Sequence, residues 1–306
     1  MQKIFSKVME VIKQLGSYRI HDYLNKSNTC QIVLAKNEKD GELYACKIFD
    51  RKEITKLNLF GRLEQELRVI QNIKHPGIIG VKEILYFPEY IMMVMPFYPF
   101  GTLHDKILDE GPFTWQTACK WLQGLCIAVS YLHSKNISHR DIKLTNILVA
   151  PNQAPILIDF GLCYEVVQME ENLRSTVCGT LEYMAPEVLT GQLYDPLKVD
   201  VWALGVCFYT MLFGQFPWNG TDKQITKGIV TAEPYIPPCT PFITIKIIKM
   251  MLNKNPEQRA KIDEVLHEVD SALNFTRTLT KTAVGNKLLL KPKINTKKTL
   301  QMLKLF

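Results

Sequence analysis

The chain has 306 residues, enough to bury a substantial core in one large domain or two closely joined lobes. Hydrophobic residues make up 47% and charged residues 22%, which is ordinary for a soluble globular protein. The net charge of +7 is localised, because eight of the 37 basic residues lie in 271–306, which leaves 29 basic against 30 acidic residues in 1–270. This nearly neutral body excludes a nucleic-acid-binding surface on charge grounds, and we expect no DNA partner.

The eight cysteines are scattered without C-x-x-C spacing, which indicates neither a zinc site nor a disulfide framework. With no secretory signal peptide, we expect reduced thiols and an intracellular, cytoplasmic location, with the nucleus as the alternative. The longest apolar run, 201–214, is too short to span a bilayer. It predicts a buried helix, and we expect no transmembrane segment.

In chain order, apolar residues at helical spacing predict an N-terminal amphipathic helix over 1–15, stopped by Gly16. Strand-like runs follow at 31–35 and 43–49, then a helix at about 57–73 and further strands at 79–86 and 90–95. From 102 onward the pattern is mainly helical, interrupted by a strand pair at 147–150 and 155–158. A strand-rich first third and a helix-rich remainder predict an α+β protein with two lobes, followed by a basic tail over 271–306.

Three short motifs occur in a fixed order. The run His139-Arg140-Asp141-Ile142-Lys143-Leu144-Thr145-Asn146 is followed by Asp159-Phe160-Gly161 and then by Ala185-Pro186-Glu187. This order and spacing resembles the protein kinase family over about residues 18–265. The resemblance implies a two-lobed fold, with a small antiparallel sheet and one main helix in 16–95 and a larger, mostly helical lobe in 96–270. The closest similarity is to the calcium/calmodulin-dependent and AMP-activated-like group.

The resemblance implies transfer of phosphate from ATP to serine or threonine hydroxyls of protein substrates. Phosphoryl transfer needs positioning and charge neutralisation more than covalent chemistry. Asp141 would orient the substrate hydroxyl, and Lys143 would lie beside the transferred phosphate. Asn146 and Asp159 would supply the oxygen ligands that Mg²⁺ prefers. Lys143 together with Gly179-Thr180 is similar to the serine/threonine class, with Thr180 in the substrate pocket.

Lys47 ends the run Tyr44-Ala45-Cys46-Lys47 on a predicted strand and resembles the phosphate-binding lysine of the family. Its carboxylate partner follows from helix geometry. Glu66 lies about 45° from the centre of the apolar face of the predicted helix, whereas Glu64 lies beyond about 110°. We therefore expect Glu66 to point inward and to pair with Lys47.

The resemblance also implies contacts to the nucleotide and a set of supporting residues. Asp200 would hold the backbone of the catalytic loop, and Glu187 and Arg259 would form a buried ion pair. The positions implied to bind the nucleotide are Leu24, Ile32, Ala45, Lys47, Met95, Phe97, Leu148 and Asp159.

The loop that normally covers the phosphates has the pattern G-x-G-x-x-G, but the stretch here is Asn25-Lys26-Ser27-Asn28-Thr29-Cys30. Glycine allows backbone N–H groups to approach phosphates closely and to adopt positive φ. Two interpretations remain open. Either the loop covers ATP less tightly and the enzyme is active, or the protein is a pseudokinase that serves as a scaffold or allosteric partner.

In similar kinases an arginine at the position of Arg140 pairs with a phosphorylated residue at the position of Thr176, which implies an upstream activating kinase. Tyr164 stands where a second basic contact is often found.

Thr102, Thr145 and Thr210 occupy positions that often carry acids, so we expect a weak preference for arginine upstream of the target. The basic tail carries apolar residues among lysines, which leaves solvated charge, calmodulin binding and intramolecular docking as alternatives.

Overall fold

The computed structural model describes residues 12–27, 29–166 and 179–282, with the side chains of 275–282 excepted. The chain divides into two compact units, one formed by residues 1–75 and 79–99 and the other by residues 76–78 and 100–306. The boundary of the first unit therefore falls at residue 99 and not at residue 95. The described part of the first unit is an antiparallel sheet with two helices.

The first unit contains a 6-stranded sheet in the order β1-β2-β3-β4-β6-β5. Its strands are β1 (Gln14–Leu15), β2 (Tyr18–Lys26), β3 (Cys30–Asn37), β4 (Leu43–Asp50), β5 (Glu83–Tyr86) and β6 (Tyr90–Pro96). Its helices, α1 (Arg51–Lys56) and α2 (Phe60–Asn72), lie between β4 and β5 in the chain. Alternate residues of the central strands form a buried core cluster that consists of Tyr18, Val33, Ala35, Cys46, Ile48, Met92 and Val94.

The second unit is mostly helical. Its helices are α3 (Leu103–Glu110), α4 (Trp115–Ser134), α5 (Pro186–Leu189), α6 (Pro196–Phe213), α7 (Asp222–Thr231), α8 (Phe242–Met251) and α9 (Ile262–Thr282). Two short antiparallel pairs join β7 (Ile137–Ser138) to β10 (Tyr164–Glu165) and β8 (Ile147–Val149) to β9 (Pro155–Leu157). Short 3-10 turns lie at Leu144–Asn146 and Leu181–Tyr183. The predicted α+β class is confirmed.

Helix α6 forms the centre of the second unit. Within the described residues it is the one helix with the length and apolar composition of a membrane span, and 78% of it is buried inside the protein. Trp202, Leu204 and Phe208 are fully buried, so the prediction of a buried helix at 201–214 is confirmed. A helix that is apolar on all sides is typical of the core of a large domain.

Two boundary predictions at the chain ends are wrong. The helix predicted over 1–15 cannot reach its predicted end, because Gln14–Leu15 form a strand that pairs with Tyr18 and Arg19. Gly16, with φ of +58°, is the turn between these strands and not a helix stop. Residues 1–11 lie outside the described residues. The tail predicted to begin at residue 271 is helical as far as Thr282, because buried Ala272 and Leu273 continue the apolar face of α9.

Helix α1 was not predicted, and the helix predicted at 57–73 is α2 at Phe60–Asn72. Asp50 ends β4 and caps α1 by accepting hydrogen bonds from the N–H groups of Lys52 and Glu53. With six residues, α1 is too short to display a hydrophobic period. Asn58, with φ of +54°, follows α1 and reverses the chain towards α2.

Candidate active site

The backbone of the loop that carries Asp141 is held by a buried carboxylate on α6. Asp200 is fully buried and accepts hydrogen bonds from the backbone N–H groups of His139 and Arg140, each at 2.8 Å. The Nε2 atom of His133, on α4, lies 3.0 Å from the same carboxylate. Burial alone would raise the pKa of Asp200, but the hydrogen bond with His133 and the nearby imidazoles outweigh it and hold that pKa below its ordinary value. The predicted contact between Asp200 and the loop backbone is present.

His139 joins this loop to the strand that leads to Asp159. Its Nε2 lies 3.0 Å from the carbonyl oxygen of Ile158, and its Nδ1 accepts the N–H of Asp141 at 3.2 Å. The imidazole also packs edge-on against Phe160, with ring centroids 4.9 Å apart. A single buried side chain therefore contacts both segments that the motifs single out.

Asp141 lies in a small polar cluster with three residues named from the sequence. Its Oδ2 accepts a hydrogen bond from Asn146 Nδ2 at 2.8 Å and lies 2.9 Å from Lys143 Nζ. Lys143 Nζ also donates to the hydroxyl of Thr180 at 3.1 Å. Among the described residues, no hydrogen bond is directed at the other oxygen of Asp141. One oxygen of the carboxylate is thus held by cationic and amide donors.

Asn146 directly precedes β8, and Asp159 lies two residues after the end of β9, the strand that pairs with β8. The carbonyl oxygen of Asn146 accepts the N–H of Ile158 at 2.9 Å, and β8 and β9 continue the pairing from there. Asn146 is buried and directs its amide nitrogen to both the carbonyl and the carboxylate of Asp141, which leaves its side-chain oxygen as a ligand atom. Asp159 is exposed and has φ of +64°, a conformation that non-glycine residues rarely adopt.

The segment around Thr180 is anchored by a buried ion pair. Arg259 donates to both carboxylate oxygens of Glu187, at 2.6 and 2.9 Å, and both side chains are buried. Arg259 also donates to the carbonyl oxygens of Asn253 and Lys198. The pairing of Glu187 with Arg259 expected from the sequence is present, with the bidentate geometry that makes such pairs strong.

Lys47, in the first unit, is paired as the helix geometry requires. Its ammonium lies 2.5 Å from Oε1 of Glu66, and both side chains are buried. Glu64, on the same helix, is exposed. The Lys47 ammonium also lies 5.2 Å from the centroid of the Phe49 ring, within cation–π range.

Four of the residues expected to bind the nucleotide share one face of the sheet in the first unit, where Lys47 is buried and the other three are half-buried. Ile32 is the cross-strand partner of Lys47, and Ala45 is the partner of Met95. Phe97 follows directly after β6 and is half-buried. Leu24 lies on β2 and is 46% exposed, next to an irregularity in the pairing of β2 with β3. In the second unit, Leu148 is half-buried on β8 and forms a bridge with Thr102.

The stretch without glycines forms the turn between β2 and β3. Among the described residues of this turn, none has positive φ, so Asn25, Ser27 and Cys30 do not need the freedom of glycine. The Ser27 hydroxyl accepts the N–H groups of Thr29 and Cys30 at 3.3 and 3.2 Å. This role of Ser27 was missed from the sequence, although a serine two residues before an N–H group is a known turn-forming signal.

The residues expected to regulate the protein are only partly described. Thr176 lies outside the described residues. The guanidinium of Arg140 lies 5.9 Å from the centroid of the Tyr164 ring, and Arg140 itself has φ of +63°. Tyr164 pairs with Ser138 in the β7–β10 ladder, so the start of the segment that leads to Thr176 is fixed next to the catalytic loop.

Two further contributors were not found from the sequence. His133, which contacts Asp200, gave no signal in the sequence because it lies inside α4, six residues before the motif that begins at His139. For Phe49, beside Lys47, the sequence predicts only a buried position on a strand. Both act through contacts that depend on tertiary packing.

Comparison with known proteins agrees with this geometry. A family model described as the protein kinase domain matches residues 18–269, so the chain belongs to the protein kinase domain family. The predicted family and its two-lobed fold class are therefore confirmed.

Several curated relatives are similar over most of this chain. CBL-interacting protein kinase 8 of Oryza sativa subsp. japonica is 31% identical over 268 residues, which cover 87% of this chain and 60% of the relative. CBL-interacting serine/threonine-protein kinase 17 of Arabidopsis thaliana is 33% identical over 251 residues, covering 81% and 58%. Sucrose non-fermenting protein kinase 1 of Fusarium virguliforme is 33% identical over 258 residues, covering 83% and 36%. The chain thus spans about 60% or less of the length of these relatives.

Proposed function

We propose that this chain is an active serine/threonine protein kinase that transfers the γ-phosphate of ATP to hydroxyl groups of protein substrates. The observation that carries the proposal is the cluster of Asp141, Lys143, Asn146 and Thr180. A carboxylate with one oxygen held by donors, and with no hydrogen bond to the other among the described residues, can accept the proton of a substrate hydroxyl. Membership of the protein kinase family and relatives named as serine/threonine kinases support this assignment.

Each polar residue takes one role in this proposal. Asp141 orients the hydroxyl that attacks, and Lys143 neutralises charge on the transferred phosphoryl group. Lys47, held by Glu66, binds the nucleotide phosphates, while Leu24, Ile32, Ala45, Met95, Phe97 and Leu148 contact the nucleotide. Thr180 helps to hold Lys143 beside the acceptor.

The donor set fits a magnesium ion. The side-chain oxygen of Asn146 and the carboxylate of Asp159 are hard oxygen ligands, and the Asn146 amide is already oriented by Asp141. Within the described residues there is no cluster of three or more His, Cys, Asp or Glu side chains, which fits an ion that keeps several waters and binds substrate phosphates. When bound, the ion would neutralise charge on the phosphates.

The remaining assignments follow from the same proposal. Phosphorylation of Thr176 by an upstream kinase would place negative charge near Arg140. A threonine side chain has no carboxylate to offer to a basic substrate. The Thr210 hydroxyl is buried and donates to the carbonyl oxygen of Val206, and Thr102 caps α3. A cytoplasmic location and docking of the basic tail, on calmodulin or on the kinase itself, also belong to this proposal. The plant relatives are named for an interaction with CBL, which favours regulatory partners for this chain as well.

The test is transfer of labelled phosphate from ATP and Mg²⁺ to a generic serine/threonine substrate. We expect Asp141→Asn to reduce the rate by at least about 100-fold, because it removes the proton acceptor. Asp109→Asn, at an exposed position of α3, is the matched control and should leave the rate unchanged. Equal silence of the wild type and Asp141→Asn would favour the alternative, a pseudokinase scaffold or allosteric partner.

A further inference from the structure

The turn between β2 and β3 engages its own backbone N–H groups. Asn25 Oδ1 accepts the N–H of Lys26 at 2.7 Å, and the carbonyl oxygen of Cys30 accepts the N–H of Ser27 at 2.8 Å. The Ser27 hydroxyl accepts the N–H groups of Thr29 and Cys30 at 3.3 and 3.2 Å. Each described N–H group at positions 26, 27, 29 and 30 therefore already has an acceptor within the turn.

Ser27 is the centre of this arrangement. Its one hydroxyl oxygen serves two N–H groups, and the hydroxyl also donates to the carbonyl oxygen of Cys30 at 3.3 Å. The turn is further tied to the end of β4, where the N–H of Asp50 lies 3.4 Å from the carbonyl oxygen of Thr29. Because Ser27 is exposed, its hydroxyl can be removed without creating a buried cavity.

This arrangement competes with phosphate binding. A turn that cradles phosphates must point several N–H groups outward, and glycines at positive φ are the usual means. Here the described residues of the turn have no positive φ, and side-chain oxygens accept hydrogen bonds from its N–H groups instead. In the same unit, Lys47 is the buried cation on the strand that pairs with β3, where it faces Ile32.

We propose that the Ser27 hydroxyl closes this turn and withholds the N–H groups of Thr29 and Cys30 from the nucleotide phosphates. Ser27 is then a specificity-determining residue that reduces the preference for ATP over adenosine. The inference rests on the proposed kinase function, because it assumes that ATP is the nucleotide bound. A reduced affinity for the phosphates would then come from the Ser27 side chain and not from the missing glycines as a group.

The experiment compares the dissociation constants of ATP and adenosine by titration calorimetry for the full chain and for two variants. Ser27→Ala removes the acceptor and frees two N–H groups, so the ratio of adenosine to ATP dissociation constants should rise roughly tenfold, as expected for a hydrogen bond to a charged group. Ser27→Thr keeps a hydroxyl and is the matched control, in which the ratio should stay at the wild-type value.

Amide hydrogen exchange of the free protein tests the geometry separately. The N–H groups of Thr29 and Cys30 should exchange faster in Ser27→Ala than in the wild type and in Ser27→Thr. If the wild type binds both ligands but the ratio does not rise in Ser27→Ala, the inference is overturned and the kinase proposal stays intact. The same holds if the two N–H groups exchange equally in all three proteins. Failure of the wild type to bind either ligand overturns both.

Discussion

At the residue scale, the most consequential contact of the first unit is the buried pair of Lys47 and Glu66. Two charges removed from water are stable there only because they face each other at 2.5 Å. The pair was located from the sequence by the angular position of Glu66 on its helix. The Phe49 ring beside the ammonium came only from the structure.

Glu66→Gln should weaken both stability and catalysis. It removes the negative charge beside the buried ammonium, which costs up to about 3–5 kcal/mol of unfolding free energy in comparable buried pairs. Urea unfolding gives the stability, and the KM for ATP reports the misplaced lysine. Glu64→Gln, at the exposed glutamate of the same helix, should change the free energy by less than about 0.5 kcal/mol. Equal effects of the two variants would contradict the assignment of Glu66.

At the scale of elements, α6 supports the catalytic loop through one carboxylate. Asp200 links α6, α4 and the backbone at His139 and Arg140, so three segments depend on a single buried charge. The short strands β8 and β9 then place Asn146 and Asp159 on adjacent ends. Neither arrangement requires the glycine-free turn, which belongs to the other unit.

The lowered pKa of Asp200 predicts a specific dependence of stability on pH. Because the folded pKa is below the unfolded value of about 3.9, the unfolded state binds the proton more tightly. The contribution of Asp200 is therefore complete above about pH 4 and decreases as the pH falls through the folded pKa.

Unfolding free energies measured in urea between about pH 5 and pH 3 test this, since the difference between the wild type and Asp200→Asn should shrink as the pH falls. Asp109→Asn, at an exposed position of α3, is the control and should change the free energy of unfolding by less than about 0.5 kcal/mol. A constant difference for Asp200→Asn would show that the folded pKa of Asp200 is not below its unfolded value.

At the scale of the whole molecule, α9 packs on α4 and extends past the charge boundary at residue 270. Gln123 and Ser130 on α4 each donate to a carboxylate of α9, at 2.6 Å to Asp270 and 2.6 Å to Asp263. The buried residues Ala272 and Leu273 lie beyond residue 270. A chain cut at the charge boundary seen in the sequence would therefore lose part of this interface.

A chain ending at residue 270 should melt at a temperature roughly 5 °C below that of the full chain, because it loses the burial of one leucine and one alanine. A chain ending at residue 282 keeps all of α9 and is the matched control. Thermal unfolding of the three proteins, followed by circular dichroism, measures this directly. Equal melting of the two shortened chains would mean that residues 271–282 do not contribute to the packing of α9.

The sequence by itself determined the family and the α+β class, because motif spacing and hydrophobic period are local properties. Asp141, Asn146 and Asp159 could be named as candidates from two of the three motifs, and Glu66 from an angle on one helix. Only the tertiary structure decided which groups stabilise those residues.

His133 below the catalytic loop, the continuation of α9 past residue 270 and the closed turn around Ser27 are all outcomes of packing and hydrogen bonding. Composition misplaced the tail because charge changes at residue 271, whereas the apolar face of α9 continues to Leu273. The hydrogen bonds of the turn without glycines could not be predicted for a related reason, since a side-chain acceptor substitutes for backbone freedom only when the chain brings it within reach.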